Sequence, residues 1–557
     1  MLAVTIVTAM VAVAAAEQAT VQVTLQQGAI TGSREEAING RVYYSFKSIP
    51  YAKPPVGPLR FKNPEPADPW SGVRNGSLPI PKCPQLSSRV PGAIEGQEDC
   101  LYLNVYTPKP SPSNLPVMVY IHGGGFAISS AGEGGSPAPL MQKDIVLVTM
   151  NYRLGTLGFL STNDNILPGN LGLKDQVLAL QWVQDNIELF GGNPKQVTIF
   201  GVSAGGISVH FHILSPSSKE LFQRAILHSG TALLLDLFKA SQDVNKVGTL
   251  LNCTGSESQQ LLDCFRQATV EDLVKIPTFL GGPYNTPIPI GPSIDGSFLP
   301  DHPVVLLKQG RYNKVDVISG NTKDDANGVG IVLFSENGKQ VLQELNNNIT
   351  KMGPILLAMT ENENPTYLAQ RVLFKYMPYN KDFNFTHEDE VALTQILTDR
   401  YYRINNIRTT DFHAQDSNVK TFMYQFDHEP ERSYEYIIRN ATQIRPMAGH
   451  GDDIRYLLQL PDLIEPWHRV QDLYMQEILV TLWTNFASTG NPTINGTLGF
   501  RWTPVAHNKQ SYYLSLTTTP SMQPVNSKIL EFWNCLPTST SKQLYPELFL
   551  PNSNKAC

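Results

Sequence analysis

Gly201-Val-Ser-Ala-Gly205 holds a serine between two closely spaced glycines. A serine hydroxyl is a poor nucleophile until a base takes its proton. The G-x-S-x-G spacing is that of a sharp strand-to-helix turn that lifts such a hydroxyl above a sheet in a strained conformation. Glycine on either side follows because a Cβ there would collide across the turn. A second stretch, His122-Gly-Gly-Gly-Phe126, has three residues in a row without side chains. Attack on a carbonyl puts negative charge on its oxygen, and main-chain N–H groups can converge on that charge only where side chains are out of the way. Gly124 and Gly125, with the amide of Ala204 behind the serine, are the expected donors. Alone, a glycine run also reads as a flexible loop; together the two stretches point to acyl transfer.

Both need a rigid sheet beneath them. Val197 to Phe200 runs into the serine turn and Pro116 to Ile121 into the glycine loop, and both are β-branched or aromatic runs that suit buried strands. Further strands are expected at 145–150, 224–229 and 314–319, separated by helical or inserted segments, the pattern of a mostly parallel sheet covered on both faces. Leu173 to Phe190 has apolar residues at helical spacing and leads to the serine strand. Val21 to Thr31 reads as a small N-terminal antiparallel hairpin, and Leu101 to Thr107 as a continuation of the sheet edge. The helix opening at Ser203 would point its positive end at the site.

These residues resemble the type B carboxylesterase family, the cholinesterase-like branch of the α/β hydrolases. Glu98-Asp-Cys-Leu-Tyr-Leu-Asn-Val-Tyr106, Asn151-Tyr-Arg-Leu-Gly155, Gly169 through Gln176, and Trp182 through Pro194 are similar to family motifs, so the resemblance spans about residues 20–540. It implies an α/β-hydrolase fold and a serine esterase, with juvenile hormone esterase-like members among the candidates. It also implies disulfides Cys83–Cys100 and Cys253–Cys264, and structural ion pairs of Arg60 with Glu98 and Arg153 with Asp175. Neither metal nor organic cofactor is implied.

Eleven histidines compete to be the base. His210 would sit about 10 Å along a helix from Ser203, too far to share a proton; with His212 it reads as packing. His122 belongs to the glycine loop and His228 to a strand. In the α/β-hydrolase order the base follows the acid. His450, in Met447-Ala-Gly-His-Gly-Asp-Asp453, resembles the family's histidine loop, whose flanking glycines would give the ring freedom to reach the serine; His428, after Thr421 to Phe426, is the rival. Asp452 and Asp453 read as helix-start residues. For the acid, Gly320 to Asp325 follows a strand's carboxyl end, where such sheets place their sites. The family pattern there ends Asp-Glu-Gly; here it is Asp324-Asp325-Ala326, so Asp325 aligns with the triad glutamate and Asp324 is the alternative. The shorter side chain requires a closer backbone approach. With an ordinary histidine, activity would fall as pH drops through about 6.5.

The 557 residues carry 41% hydrophobic and 17% charged side chains, an ordinary globular composition, and no linker divides them. One domain is expected over residues 17–557. A net charge of -6 gives nucleic acid no basic surface. Leu2 to Ala16 is apolar and ends in small residues, so residues 1–16 read as a secretory signal cleaved before Glu17; the run is shorter than the roughly 20 residues of a membrane span. An extracellular glycoprotein is therefore expected, with sequons at Asn75, Asn252, Asn348, Asn384, Asn440 and Asn495. Six cysteines suit an oxidising compartment. Beyond the two implied bridges, Cys557 is left to pair with Cys535 or to join two chains into a homodimer.

Val202 stands where the family usually has glutamate, and Cys83 to Cys100 contains no Trp, so neither anion nor indole awaits a quaternary ammonium. A small-molecule ester other than choline is the expected substrate, hydrolysed through Ser203, Asp325 and His450. Thr231 to Phe238 reads either as acyl-pocket wall or as core. The alternatives are a hormone-type methyl esterase, an acylglycerol lipase, and a binding protein that sequesters esters or mediates adhesion without turnover.

Overall fold

The computed structural model describes residues 21–550 apart from 89, 134, 238–243, 281–287, 440–444, 460–466, 497 and 508. The signal-peptide reading, Asn440 and Cys557 lie outside the described residues. Twelve strands matter here: β1 (Val21–Thr24), β2 (Ala29–Glu36), β3 (Val42–Pro50), β4 (Tyr102–Thr107), β5 (Leu115–Ile121), β6 (Val146–Met150), β7 (Gly192–Val202), β8 (Arg224–His228), β9 (Asp316–Thr322), β10 (Thr421–Phe426), β11 (Tyr512–Leu516) and β12 (Ser521–Pro524). With the short strand Val73–Asn75 beside β2, they form one 13-stranded sheet in the order β1-β2-β3-β4-β6-β5-β7-β8-β9-β10-β11-β12. From β6 to β11 every neighbouring pair is parallel. The flanks at both ends are antiparallel.

Alternation along the central strands sorts their side chains between two cores, because successive residues of a strand face opposite sides. Val117, Val119 and Ile121 of β5 join the core that holds Leu173 and Ala179 of α1 (Leu171–Asn186) and Val209 and Phe211 of α2 (Ala204–Leu214). Met118 and Tyr120 join the opposite core, with Ile478, Leu482 and Trp483 of α5 (Val470–Thr489). Helices thus cover both faces, as parallel strands buried on both sides require. Two further helices bear on the site, α3 (Glu390–Thr398) and α4 (Ile404–His413), joined by a π-helical turn over Asp399–Arg403.

The N-terminal hairpin forms, with Val23 opposite Ile30, and β2 continues into pairing with β3. That extension changes the place of β4. Expected at the edge, it is hydrogen-bonded on both sides, to β3 and to β6, because the long β3 takes up its outer edge. Arg60 meets Glu98 through two bonds of 2.6 Å, and Arg153 meets Asp175 through bonds of 2.8 and 2.6 Å. The second pair is buried and ties the segment after β6 to α1; buried charges persist only when paired in this way. Cys83 is bonded to Cys100 and Cys253 to Cys264, and Cys535 is also disulfide-bonded. Ala232 to Leu235 are buried in the first core, away from the site cavity described below, so among the described residues of Thr231 to Phe238 packing is what is seen. No helix among the described residues is long and apolar enough to cross a membrane.

Candidate active site

β7 ends at Val202, and the chain turns at once into α2. Ser203 takes φ 60° and ψ −125°, a conformation that side-chain-bearing residues avoid. Its neighbours explain the turn's composition: a Cβ on Gly205 would lie 2.0 Å from the Ile121 carbonyl oxygen, and one on Gly201 2.5 Å from the same atom. The serine amide donates to the His228 carbonyl of β8 at 2.9 Å, which fastens the turn to the adjacent strand. On the other side, β5 runs into the glycine loop, and a Cβ on Gly123 would stand 3.2 Å from that of Ser203. Gly124 and Gly125 have φ of 100° and 61°, the left-handed region that glycine alone enters without strain. The N–H groups of Gly124, Gly125 and Ala204 donate to no acceptor among the described residues.

Asp325 and His450 meet. His450 Nδ1 lies 2.6 Å from Asp325 Oδ1, while Asp325 Oδ2 accepts from Ser229 Oγ at 2.6 Å and from the Thr322 N–H at 2.9 Å. Asp325 is buried, and its short side chain reaches because the segment after β9 is bonded to the histidine loop next door, where Asp324 and Ala448 exchange hydrogen bonds. Burial pulls the His450 pKa down, but the hydrogen bond and charge of Asp325 outweigh it, with Glu435 and Asp453 adding in the same sense, so the pKa is raised above the ordinary 6.5. The sequence reading took an ordinary value; what it lacked was this surrounding ring of carboxylates. With Nδ1 engaged, Nε2 is the nitrogen available to take a proton. Ser203 and His450 line one cavity of about 850 Å³, although no hydrogen bond joins them in this structure; such contacts often close only when substrate is bound.

Asp324 points elsewhere. Its carboxylate accepts from Gln395 Nε2 at 2.8 Å and from the Ala448 N–H at 3.2 Å, and its own amide donates to the Ala448 carbonyl. It clasps the histidine loop without touching the ring. That loop is not loose, contrary to the sequence reading: a Cβ on Gly449 would lie 2.2 Å from Asn327 Nδ2 and 2.6 Å from Ser433 Oγ, so the glycine serves close approach. Asp453 caps the one-turn helix Ile454–Tyr456, as a helix-start residue would, and its carboxylate also meets His228 Nδ1 at 2.9 Å and accepts from Tyr424 at 2.6 Å. Asp452, expected in the same role, instead takes the amides of Tyr434 and Gly449.

The histidines weighed against His450 have partners of their own. His210 faces His413 at 3.1 Å, His212 bridges Ser218 and Gln176, and His428 meets Asp472 at 2.6 Å. His122 stacks on Tyr152, and burial lowers its pKa to about 4. Sequence reasoning passed over Ser229, Glu435 and Tyr402. A signal existed for the first, since Ser229 immediately follows the strand beside that of Ser203; for the other two, only the folded chain brings them to the site.

A family model described as "Carboxylesterase family" matches residues 19–533. The juvenile hormone esterase of Tribolium castaneum is 37% identical over 495 residues, covering 84% of this chain and 83% of that protein. Esterase FE4 of Myzus persicae is 35% identical, covering 88% and 87%. The pyrethroid hydrolase Ces2a of Mus musculus is 36% identical, covering 91% and 88%. With the match running through nearly the whole sheet and both of its faces, the chain belongs to the carboxylesterase family, and it is a hydrolase of carboxylic esters.

Proposed function

We propose that the protein cleaves neutral carboxylic esters through Ser203, His450 and Asp325 in two half-reactions. His450 Nε2 takes the proton of Ser203, whose oxygen attacks the ester carbonyl, and the Gly124, Gly125 and Ala204 amides receive the developing oxyanion. Protonated His450 then gives its proton to the departing alcohol, leaving an acyl-enzyme. Water, deprotonated by the same nitrogen, frees the acid. Asp325 holds the ring in the tautomer that leaves Nε2 bare and stabilises the imidazolium. The observation that carries this reading is the 2.6 Å bond from Asp325 to His450 at a cavity that Ser203 also lines.

A neutral substrate is supported by the charges around the cavity. Glu35 pairs with Lys47, Lys82 with Glu95 and Glu133, Glu435 with Arg439, and Arg455 with Asp452. Every lining cation is therefore already engaged by a carboxylate, with Lys82 shared between two of them, and apolar Val202 stands beside Ser203. An anionic ester would be desolvated there without a free cation to meet it.

The test is hydrolysis of a panel of short, long, choline and hormone-type methyl esters by the wild type and Ser203→Ala. Turnover of neutral esters, lost in Ser203→Ala, is expected; preference for a choline ester, or activity surviving in Ser203→Ala, refutes the proposal. A stoichiometric burst on p-nitrophenyl acetate followed by negligible turnover would instead identify a sequestering protein. We also infer secretion, with residues 1–16 removed, residues 17–557 as one domain, and glycans on the exposed Asn75, Asn252, Asn348 and Asn384. A mobility shift on enzymatic deglycosylation of the secreted protein checks this.

A further inference from the structure

The helix that runs from Glu390 to His413 is interrupted by the π-helical turn Asp399–Arg403, in which the Ile404 N–H reaches back to the Asp399 carbonyl. A π-turn inserts one residue into the helical repeat, and such turns inside α-helices are frequent at functional sites. Here the turn carries Tyr402, whose ring centroid stands 5.1 Å from that of His450 at an interplanar angle of 36°. The same interrupted helix also grips the segment that carries the acid. Arg403 Nη2 donates to the Lys323 carbonyl at 2.9 Å, Gln395 Nε2 to Asp324 Oδ1 at 2.8 Å, and the Ala326 N–H to Thr398 Oγ1 at 3.0 Å. Acid segment and base ring are thus held from one element, the first by hydrogen bonds and the second by a flat aromatic face. Asp325 has a single methylene with which to follow any movement of the ring, so the ring must be kept where the carboxylate is.

We propose that Tyr402 is a positioning residue: carried by the π-turn, its ring keeps the His450 imidazole against Asp325 and fixes the direction in which Nε2 points. The proposal rests on His450 being the base. It assigns the work to the aromatic face and none to the phenol.

Four variants test it, Tyr402→Phe, Tyr402→Leu, Tyr402→Met and His450→Ala, on a neutral p-nitrophenyl ester, with thermal melting to establish folding. Tyr402→Phe should stay within about twofold of wild type, whereas Leu and Met should lower kcat about tenfold with KM within about twofold, as for a misplaced catalytic group. Leu and Met occupy comparable volume by different shapes, so a folding failure in one leaves the other to be read. If both fail to fold while Phe is normal, the residue is a packing anchor and the proposal is overturned. It is equally overturned if a folded Leu or Met variant keeps kcat within twofold of wild type, or if Phe falls as far as they do. Inactivity of His450→Ala alongside such a result would leave the triad reading standing; activity in His450→Ala would sink that reading itself.

Discussion

Replacing Asp325 by asparagine swaps an oxygen for a nitrogen and removes a charge, and the surroundings of the carboxylate decide which way the new amide must lie. Oδ2 accepts two hydrogen bonds, from Ser229 Oγ and from the Thr322 N–H; the hydroxyl could turn round, but the main-chain amide is always a donor. An NH2 group at that position would confront it, so the asparagine must keep its oxygen there and present its NH2 to His450 Nδ1, 2.6 Å away in the native pair. The imidazole is then driven to accept at Nδ1 and carry its proton on Nε2, where it can take none from Ser203. A base held in the wrong tautomer costs about 10⁴-fold in kcat, or about 5 kcal/mol of barrier. Loss of the carboxylate also removes the chief influence raising the His450 pKa, so the residual activity should persist to lower pH than in the wild type. The assay is kcat and kcat/KM for Asp325→Asn from pH 5 to 9 on a neutral ester, beside Asp324→Asn, which should lose less than about tenfold because its carboxylate faces Gln395 and the Ala448 amide. Asp325→Asn above a tenth of wild-type kcat, or Asp324→Asn as damaged as Asp325→Asn, would refute the reasoning.

In the wild type, the proposed mechanism needs His450 unprotonated at Nε2, and its raised pKa means that kcat/KM should fall with acid from a midpoint above 6.5; a profile flat from pH 5 to 8 would remove the histidine from the mechanism. Gly205→Ala places a methyl group 2.0 Å from the Ile121 carbonyl and should destabilise the fold by about 3 kcal/mol, seen as a lower melting temperature with loss of activity. Asp175→Ala strands the buried Arg153 and should cost about 3–5 kcal/mol in denaturant unfolding, while the folded fraction still reacts at Ser203. Reducing Cys83–Cys100, which are 17 residues apart, should lower stability by about 3 kcal/mol through the freed chain, measurable as a melting shift in the double serine variant.

The central sheet was legible because buried parallel strands read as continuous apolar runs: β5, β6, β8 and β9 lie within three residues of their expected positions, and β7 ends where expected but begins five residues earlier, at Gly192. The fold class follows from them. β4 was misplaced because its sequence shows that it pairs but not on how many sides; only the length of β3 settles that. Ser203, Asp325 and His450 could be picked out from a turn motif, a strand end and a glycine-flanked histidine, and the geometry supports Asp325 over Asp324 through a carboxylate direction that adjacent identical residues cannot reveal in sequence. The raised His450 pKa and the Tyr402 ring contact were illegible for a common reason. Each depends on side chains such as Glu435 and on a π-turn that come from distant stretches and carry no local pattern.

The cavity draws its walls from several separate lengths of chain. Glu35, Lys47, Pro79, Ile80 and Lys82 come from the antiparallel flank and the loops after it, whereas the proposed triad lies between residues 203 and 450. Mutations in the first hundred residues can therefore reshape which molecules are admitted while the hydroxyl and imidazole keep their places. A lineage exposed to a new toxin or signal could retune its appetite there, at one end of the gene, with its chemical engine untouched.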